Sequence, residues 1–247
     1  MPVHSLRCTL GQQAHFETPP NQRSRTAITT TTTITPIADQ VEQMAAATPP
    51  SLVGDAFAST RQRKVDAGPG VVAEPGMTFP DGALLTATGE ATSFAQAAAH
   101  RPAVVIFYRG AWCPYCNIAL RNYQAELAGP LAEQSVALVA ISPQAPDGSL
   151  SMQEKNELSF TVLSDPGNQI GRQLGILNIA TEDELAVNQQ VGLDLTQVNA
   201  DGTSDPVMPT AAVVDADGVL RFIDVHVDYT TRTEPAAILA AVAQLHH

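Results

Sequence analysis

From Pro36 onward, apolar residues along the chain recur with clear periods. Ile37, Val41, Met44 and Ala45 fall at helical spacing, and Pro49-Pro50 stops that predicted helix. Leu52 to Arg61 reads as a second short helix, and residues 66–82, rich in Gly and Pro, read as a linker or entry loop. The compact domain is expected to begin near Val71. Val104-Val-Ile-Phe-Tyr108 is an unbroken apolar run of strand-forming residues, which fits a central strand covered on both faces. A short loop, Arg109 to Cys113, follows it. Cys116, Leu120, Tyr123 and Leu127 then share one helical face, and Gly129-Pro130 is expected to end that helix. Val136 to Ser142 is a second buried strand, so strand, helix and strand form a βαβ unit, right-handed by default.

The remaining pattern extends this α/β order. A helix is expected over about Ser149 to Leu158, a short strand over Phe160 to Leu163, and a helix near Asn168–Leu174. Thr181-Glu-Asp-Glu184 is a capping box for one more helix, set in a long insertion over residues 176–208. Ala211 to Val214 and Val219 to Val225 flank Asp217-Gly218, a strong hairpin signal. Thr233 is placed to cap a last helix, Glu234 to Leu245. The expected fold class is therefore α/β, a central mixed β-sheet flanked by helices.

Residues 1–35 differ from the rest. They carry Arg7, Arg23 and Arg25 against a single acid, Glu17, and end in a Thr-rich run without periodicity. The expected organisation is a disordered tail over 1–35, a helical extension and linker over 36–70, and one domain over 71–247. An organellar targeting segment or a start placed upstream of the true one would look the same as a plain tail. The working expectation is a cytoplasmic protein, with a homodimer left open.

Composition narrows the function. Lys plus Arg number 13 against 25 for Asp plus Glu, a formal charge of −12, which repels a phosphate backbone. No apolar run is long enough for a membrane-spanning helix. Aromatics are only 5%, so Ala, Val, Leu and Ile must fill the core. Three cysteines cannot build a disulfide-stapled scaffold or a four-Cys zinc site. No metal, nucleotide, flavin or haem is implied. Two of the cysteines form Cys113-Pro114-Tyr115-Cys116, which is redox spacing. Cys8 reads as a stray thiol.

Cys113 lies where strand gives way to helix, and free helix N–H groups favour a thiolate there. Lowering a thiol from about 8.5 to about 7 takes roughly 2 kcal/mol. An exposed helix N-terminus supplies about 0.3–1 kcal/mol, so a second source is needed. Arg109, four residues upstream, is the candidate; its fixed charge also suits a peroxide or carboxylate oxygen. Pro114 suits a first-turn position and stiffens the turn. Trp112 is expected to shield the dithiol, and His226 with Asp224 reads chiefly as a surface pair.

The run Phe107-Tyr-Arg-Gly-Ala-Trp-Cys-Pro-Tyr-Cys116 resembles the signature of the peroxiredoxin-like branch of the AhpC/TSA family. Ile141-Ser-Pro-Gln144, Glu154-Lys-Asn-Glu-Leu-Ser-Phe160, Leu163-Ser-Asp-Pro-Gly-Asn168, Met208-Pro-Thr210, Asp215-Ala-Asp-Gly218 and Asp228-Tyr-Thr-Thr-Arg-Thr-Glu-Pro235 are similar to that family too. The resemblance covers roughly residues 70–245. It implies a thioredoxin-like fold, antioxidant peroxidase chemistry through a Cys113–Cys116 redox disulfide, and a cis-proline at Pro209 opposite the dithiol. It also implies recycling by thioredoxin, glutaredoxin or another thiol reductant.

The departures from the family pattern are specific. Ordinary peroxiredoxins carry Pro-x-x-x-Thr/Ser-x-x-Cys around the peroxidatic thiol. Aligning that Cys with Cys116 puts Cys113 in place of the Thr and Arg109 in place of the Pro. Aligning it with Cys113 puts Gly110 and Ile106 there. The second activating Arg is not evident beside Pro209; Arg121 and Arg221 are the candidates. The working assignment makes Cys113, at an exposed helix start, the peroxidatic thiol and Cys116 the resolving one, with the reverse left open. A thioredoxin-like or glutaredoxin-like disulfide oxidoreductase and a non-catalytic redox-sensing module are the competing functions.

Overall fold

The computed structural model describes residues 34–246. Cys8, the Arg-rich tail as far as residue 33 and His247 lie outside the described residues. Residues from Ile34 onward belong to one compact unit.

In chain order the helices are α1 (Ile37–Ala47), α2 (Leu52–Ala67), α3 (Phe94–Ala97), α4 (Pro114–Glu126), α5 (Ala128–Glu133), α6 (Pro146–Lys155), α7 (Gln169–Leu174), α8 (Glu182–Gln190), α9 (Leu195–Val198) and α10 (Pro235–Ala243). The strands are β1 (Ala83–Thr86), β2 (Ala91–Ser93), β3 (Ala103–Phe107), β4 (Ala137–Ser142), β5 (Thr161–Ser164), β6 (Thr210–Val214) and β7 (Leu220–Val225). They form a seven-stranded sheet in the order β2-β1-β5-β4-β3-β6-β7. β3 pairs in parallel with β4, and β4 with β5. β6 runs antiparallel to β3, β7 to β6, and β1 to β5. The sheet is mixed and flanked by helices, the expected fold class.

The continuous apolar runs are explained by cover on both faces. Val104 and Ile106 of β3 enter a core formed with α1, α4 and α10, while Ala103, Val105 and Phe107 enter a second core with α3 and α7. Cys116, Leu120, Tyr123 and Leu127, the predicted face of α4, are all buried in the first core.

Several local expectations are corrected. Gly129-Pro130 does not close a helix but lies in the first turn of α5, where a missing N–H costs nothing because that position has no intrahelical acceptor. α2 continues past Arg61 to Ala67 and is closed by Gly68 at φ 75°. The cap of α10 is Glu234, not Thr233, whose hydroxyl donates to Asp224 instead. The short strands β1 and β2 and the one-turn helices α3 and α9 carry too few residues for a sequence period to show.

The helical extension is part of the domain's packing. The backbone N–H groups of Ile37 and Ala38, at the open end of α1, donate to the two carboxylate oxygens of Glu234 at 3.1 and 2.9 Å. That contact satisfies donors which Pro36 has no side chain to satisfy, and it places an acid at the positive end of the helix. Ile37 is 1% exposed. α2 is fastened to α8 by Arg63–Asp183 at 2.7 Å and Lys64–Glu184 at 3.3 Å. The predicted capping box at Thr181 and Glu184 holds the start of α8.

Replacing Ile37 with Ala is expected to lower unfolding stability by about 2–5 kcal/mol, as for other buried large-to-small changes. Denaturant titration measures this, and an unchanged midpoint would mean that α1 contributes nothing to the core.

Candidate active site

β3 delivers the chain into the Arg109–Cys113 loop, and Pro114 occupies the first turn of α4 as expected. The loop is held on both sides. The Ala111 N–H donates to Gln144 Oε1 at 2.6 Å. Asn117 Nδ2 donates to the carbonyls of Ala111 and Cys113 at 2.9 and 2.8 Å, and its own oxygen accepts from Asn156 at 2.9 Å. Gly110 has φ 149°, and a Cβ there would lie 2.3 Å from the Trp112 indole nitrogen. Gly148 leaves the space that the Gln144 side chain fills. Gln144, Asn156 and Gly110 thus explain three of the sequence runs around the dithiol.

Both thiols are free and buried, Cys113 at 1% and Cys116 at 0% exposure. The exposed helix start expected for Cys113 is therefore not observed. Cys113 is the N-cap of α4, but its side chain accepts no helix N–H. The stabilising donors converge on Cys116 instead. Its sulfur accepts from the Arg109 backbone N–H at 3.4 Å and from Arg232 Nη2 at 3.0 Å, whereas the same Nη2 is 4.0 Å from Cys113 Sγ.

The electrostatics follow this geometry. Burial pushes the Cys116 thiol up, but the Cys113 thiol, the Arg232 guanidinium and the Arg109 N–H and charge outweigh it and bring it down to about 5. Burial and the neighbouring Cys116 push the Cys113 thiol well above its ordinary value, beyond what Arg109 and Arg232 can offset.

Arg232 is the residue that sequence reasoning missed. It lies within the Asp228–Pro235 motif, but nothing in its spacing from the cysteines points to contact across more than a hundred residues. Arg121 instead donates to Asn156, and Arg221 pairs with Asp215 at 2.6 Å, so neither touches the dithiol.

The segment around Arg232 is pinned. Asp224 Oδ2 accepts from the Thr233 hydroxyl at 2.8 Å and lies 3.2 Å from His226 Nε2, while His226 Nδ1 meets Thr231 at 2.7 Å. The Tyr123 hydroxyl donates to the Thr233 carbonyl at 2.7 Å. Arg232 Nη1 donates to the carbonyls of Tyr229 and Thr231. Asp224 and His226 therefore brace the arginine segment rather than standing as a simple surface pair. Burial and the Arg232 charge pull His226 below the usual imidazole value against the pull of Asp224.

Arg109 is only 9% exposed, and its guanidinium lies between two rings, 4.8 Å from the Trp112 centroid and 4.2 Å from that of Tyr229. Trp112 is half-buried and packs against the core that holds both cysteines. Pro209 is buried one residue beyond the Phe107–Thr210 pair, but no described peptide bond is cis. The cis-proline expectation is thus corrected. The Pro209 carbonyl accepts the His226 N–H at 2.9 Å, which extends the β6–β7 ladder, and the group that reaches Cys116 from this side is Arg232.

A cleft of about 490 Å³ opens in front of Cys113. Its walls are α2, the end of α8 with the turn that follows it (residues 188–193), and the ring of Tyr229. Cys113 lines it and Cys116 does not. Among the described residues no group of three His, Cys, Asp or Glu side chains is placed to hold a metal ion, and no helix is long and apolar enough to cross a membrane.

These features define a peroxiredoxin-like protein on a thioredoxin-type sheet. The AhpC/TSA family model matches residues 75–223, well over half of the chain, and the chain belongs to that family. A Haemophilus influenzae protein named "Putative peroxiredoxin bcp" is 36% identical over 76 residues, which is 30% of this chain and 46% of that protein. The chain therefore matches about half the length of that relative. Among solved structures, the Mycobacterium tuberculosis peroxidoxin BcpB superposes with a TM-score of 0.53 at 20% identity, covering 70% of this chain and 97% of that one. A peroxiredoxin-like protein from Aquifex aeolicus gives 0.56 at 15% identity, covering 71% and 90%. At these identities the structures establish the thioredoxin-like fold alone.

With the Cys116 thiol near 5, its thiolate is present at neutral pH and is lost as pH falls through about 5. Arg232→Ala is expected to move that loss upward, because burial then acts with less opposition. Thiolate ultraviolet absorbance against pH measures it. Coincident titration curves for the two proteins would remove Arg232 from the account.

Proposed function

We propose that this protein is a thiol peroxidase in which Cys116 is the peroxidatic thiol and Cys113 the resolving thiol. The observation that carries the reading is the pair of donors on the Cys116 sulfur, Arg232 Nη2 at 3.0 Å and the Arg109 N–H at 3.4 Å. This reverses the order expected from the helix start. It agrees with the alignment that puts Cys113 where the family carries Thr.

The Cys116 thiolate attacks one oxygen of the hydroperoxide. The O–O bond breaks, Cys116 becomes a sulfenic acid, and the alkoxide or hydroxide departs and takes a proton from solvent. Arg232 and Arg109 bear on the oxygens as charge moves onto them. Cys113 then attacks the sulfenic sulfur. The S–S bond forms, the S–O bond breaks, and water leaves with the thiol proton. The two residues are one helical turn apart, so closing this disulfide needs little backbone movement. An external thiol donor, of the thioredoxin, glutaredoxin or small-molecule kind, attacks Cys113. Cys116 leaves as the more stable thiolate, which makes it the better leaving group. No cofactor enters this cycle.

A second reading, a disulfide oxidoreductase of the thioredoxin or glutaredoxin kind, is favoured by one observation. The sulfur that lines the cleft is Cys113, and the sulfur held as a thiolate sits behind it. The same exchange step, run on a protein or small disulfide, would use this arrangement.

NADPH oxidation coupled through a thiol reductant and its reductase separates the two. Turnover that depends on hydrogen peroxide or cumene hydroperoxide, lost in Cys116→Ser, is expected. Cys113→Ser should still form a trappable sulfenic acid. Turnover with disulfides alone would overturn the peroxidase reading, and sulfenylation of Cys113 in Cys116→Ser would reverse the assignment.

A further inference from the structure

The cleft in front of Cys113 is not needed by a peroxide as small as hydrogen peroxide, and its walls come from segments outside the central sheet. Phe57 and Arg61 of α2 face Val191 and Leu193 across it, with Arg109 and Cys113 also in its lining. Arg109 is nine-tenths buried, yet its Nε has no hydrogen-bond partner, and no carboxylate among the described residues pairs with it. Its counter-charge is the Cys116 thiolate, which it shares with Arg232, and a buried cation is costly when nothing supplies one. The stacked rings of Trp112 and Tyr229 hold the guanidinium in place but provide no acceptor.

We propose that this cleft is the binding site of the electron donor, and that the donor is a small thiol bearing a carboxylate, with its carboxylate on Arg109 and its sulfur on Cys113. The inference rests on the dithiol cycle above and names the reductant of that cycle.

Three observations favour this occupant. The first is size and access. A volume of about 490 Å³ lies within the range of small-molecule sites. A protein reductant needs its partner sulfur at a surface on which roughly 800 Å² can be laid. Cys113 lies instead at the floor of the cleft, 1% exposed, between α2 and the 188–193 turn. The ion pairs Arg63–Asp183 and Lys64–Glu184 hold these walls together.

The second is position. The cleft reaches Cys113, the sulfur attacked in recycling, and not Cys116, the sulfur that takes the peroxide. An extended hydroperoxide seated here would present its O–O bond to the wrong thiol.

The third is charge. The chain carries −12 overall and repels an anion at long range, so local cations must admit it. In the dithiol form the Cys116 thiolate offsets part of the charge of Arg232 and Arg109. Once the disulfide has formed, that negative charge is gone while both guanidinium groups remain. The oxidised form is thus the one that attracts an anionic donor. The exchange balances: the donor thiolate forms a bond to Cys113 Sγ, the Cys113–Cys116 bond breaks, and Cys116 departs as a thiolate. A second donor thiolate then attacks the donor sulfur of the mixed disulfide, Cys113 leaves and is protonated, and the two donor molecules depart as their disulfide, having supplied the two electrons.

The test uses the full chain, oxidised to its disulfide with diamide so that no peroxide step is involved. Trp112, the single tryptophan and adjacent to Cys113, reports reduction by stopped-flow fluorescence. Glutathione is expected to reduce the protein with a rate that saturates, and glutathione diethyl ester, with the same thiol and no carboxylates, at least tenfold more slowly. In Arg109→Gln the ratio of the two rates should fall towards one. Equal rates for acid and ester on the unaltered chain would overturn the proposal whether or not the variant folds. So would reduction by thioredoxin that is faster than by glutathione at equal thiol concentration. If peroxide fails to oxidise the dithiol while the acid-over-ester preference holds, the donor site stands and only the peroxidase reading falls.

Discussion

The structure depends on keeping one sulfur negative inside the protein. Cys116 has no exposure to solvent, and burial alone would hold it as a neutral thiol. The Cys113 thiol and two further donors reverse that outcome, and each of these two is fixed by a different part of the fold. The Arg109 N–H comes from the chain just past β3, where the turn into α4 aims it at the sulfur. Arg232 comes from the segment between β7 and α10, which Asp224, His226 and Tyr123 clamp in place. A guanidinium on a free loop would spend most of its time in water; this one cannot leave without breaking several hydrogen bonds.

That constraint ties the N-terminal helices to the site. Glu234 caps α1 through two backbone N–H groups and stands two residues from Arg232. The docking of α1 and the placement of the arginine are therefore mechanically linked. α2, pinned to α8, turns an open face beside the dithiol into a cleft. Here the extension and the insertion supply the walls of the cleft that Cys113 lines. Access to Cys113 is thereby set by segments remote from it in sequence.

The dithiol replaces a division of labour that the wider family handles differently. Where ordinary peroxiredoxins carry a hydroxyl three residues before the reactive Cys, this chain carries a second thiol. In the proposed cycle, a resolving thiol one helical turn away trades a hydrogen-bond donor to peroxide for immediate disulfide closure. It also separates two properties that a single thiol would have to combine: Cys116 is the sulfur held as an anion, and Cys113 is the sulfur that faces the cleft.

Much of this was legible from residue order. The buried strands β3 and β4, the apolar face of α4, the capping box of α8, the β6–β7 hairpin and the Cys113–Cys116 motif with Arg109 and Trp112 all follow from local periods and local stereochemistry. What local pattern could not supply was any interaction between residues far apart. Arg232 was hidden among charged residues because its partner sulfur lies 116 positions away, and Arg121 and Arg221 looked equally suitable until the sheet order was known. The same distance hid the Glu234 cap of α1 and the cleft between α2 and the 188–193 turn. Which thiol is the anion could not be decided from spacing, since both cysteines belong to one helix start. The sequence by itself determined most of the longer elements and set Cys113 and Cys116 at one helix start, because helix, strand and turn preferences act over a few residues. The tertiary structure alone decided which sulfur carries the charge and what may approach it, because electrostatic fields and enclosure depend on distance in space and not along the chain.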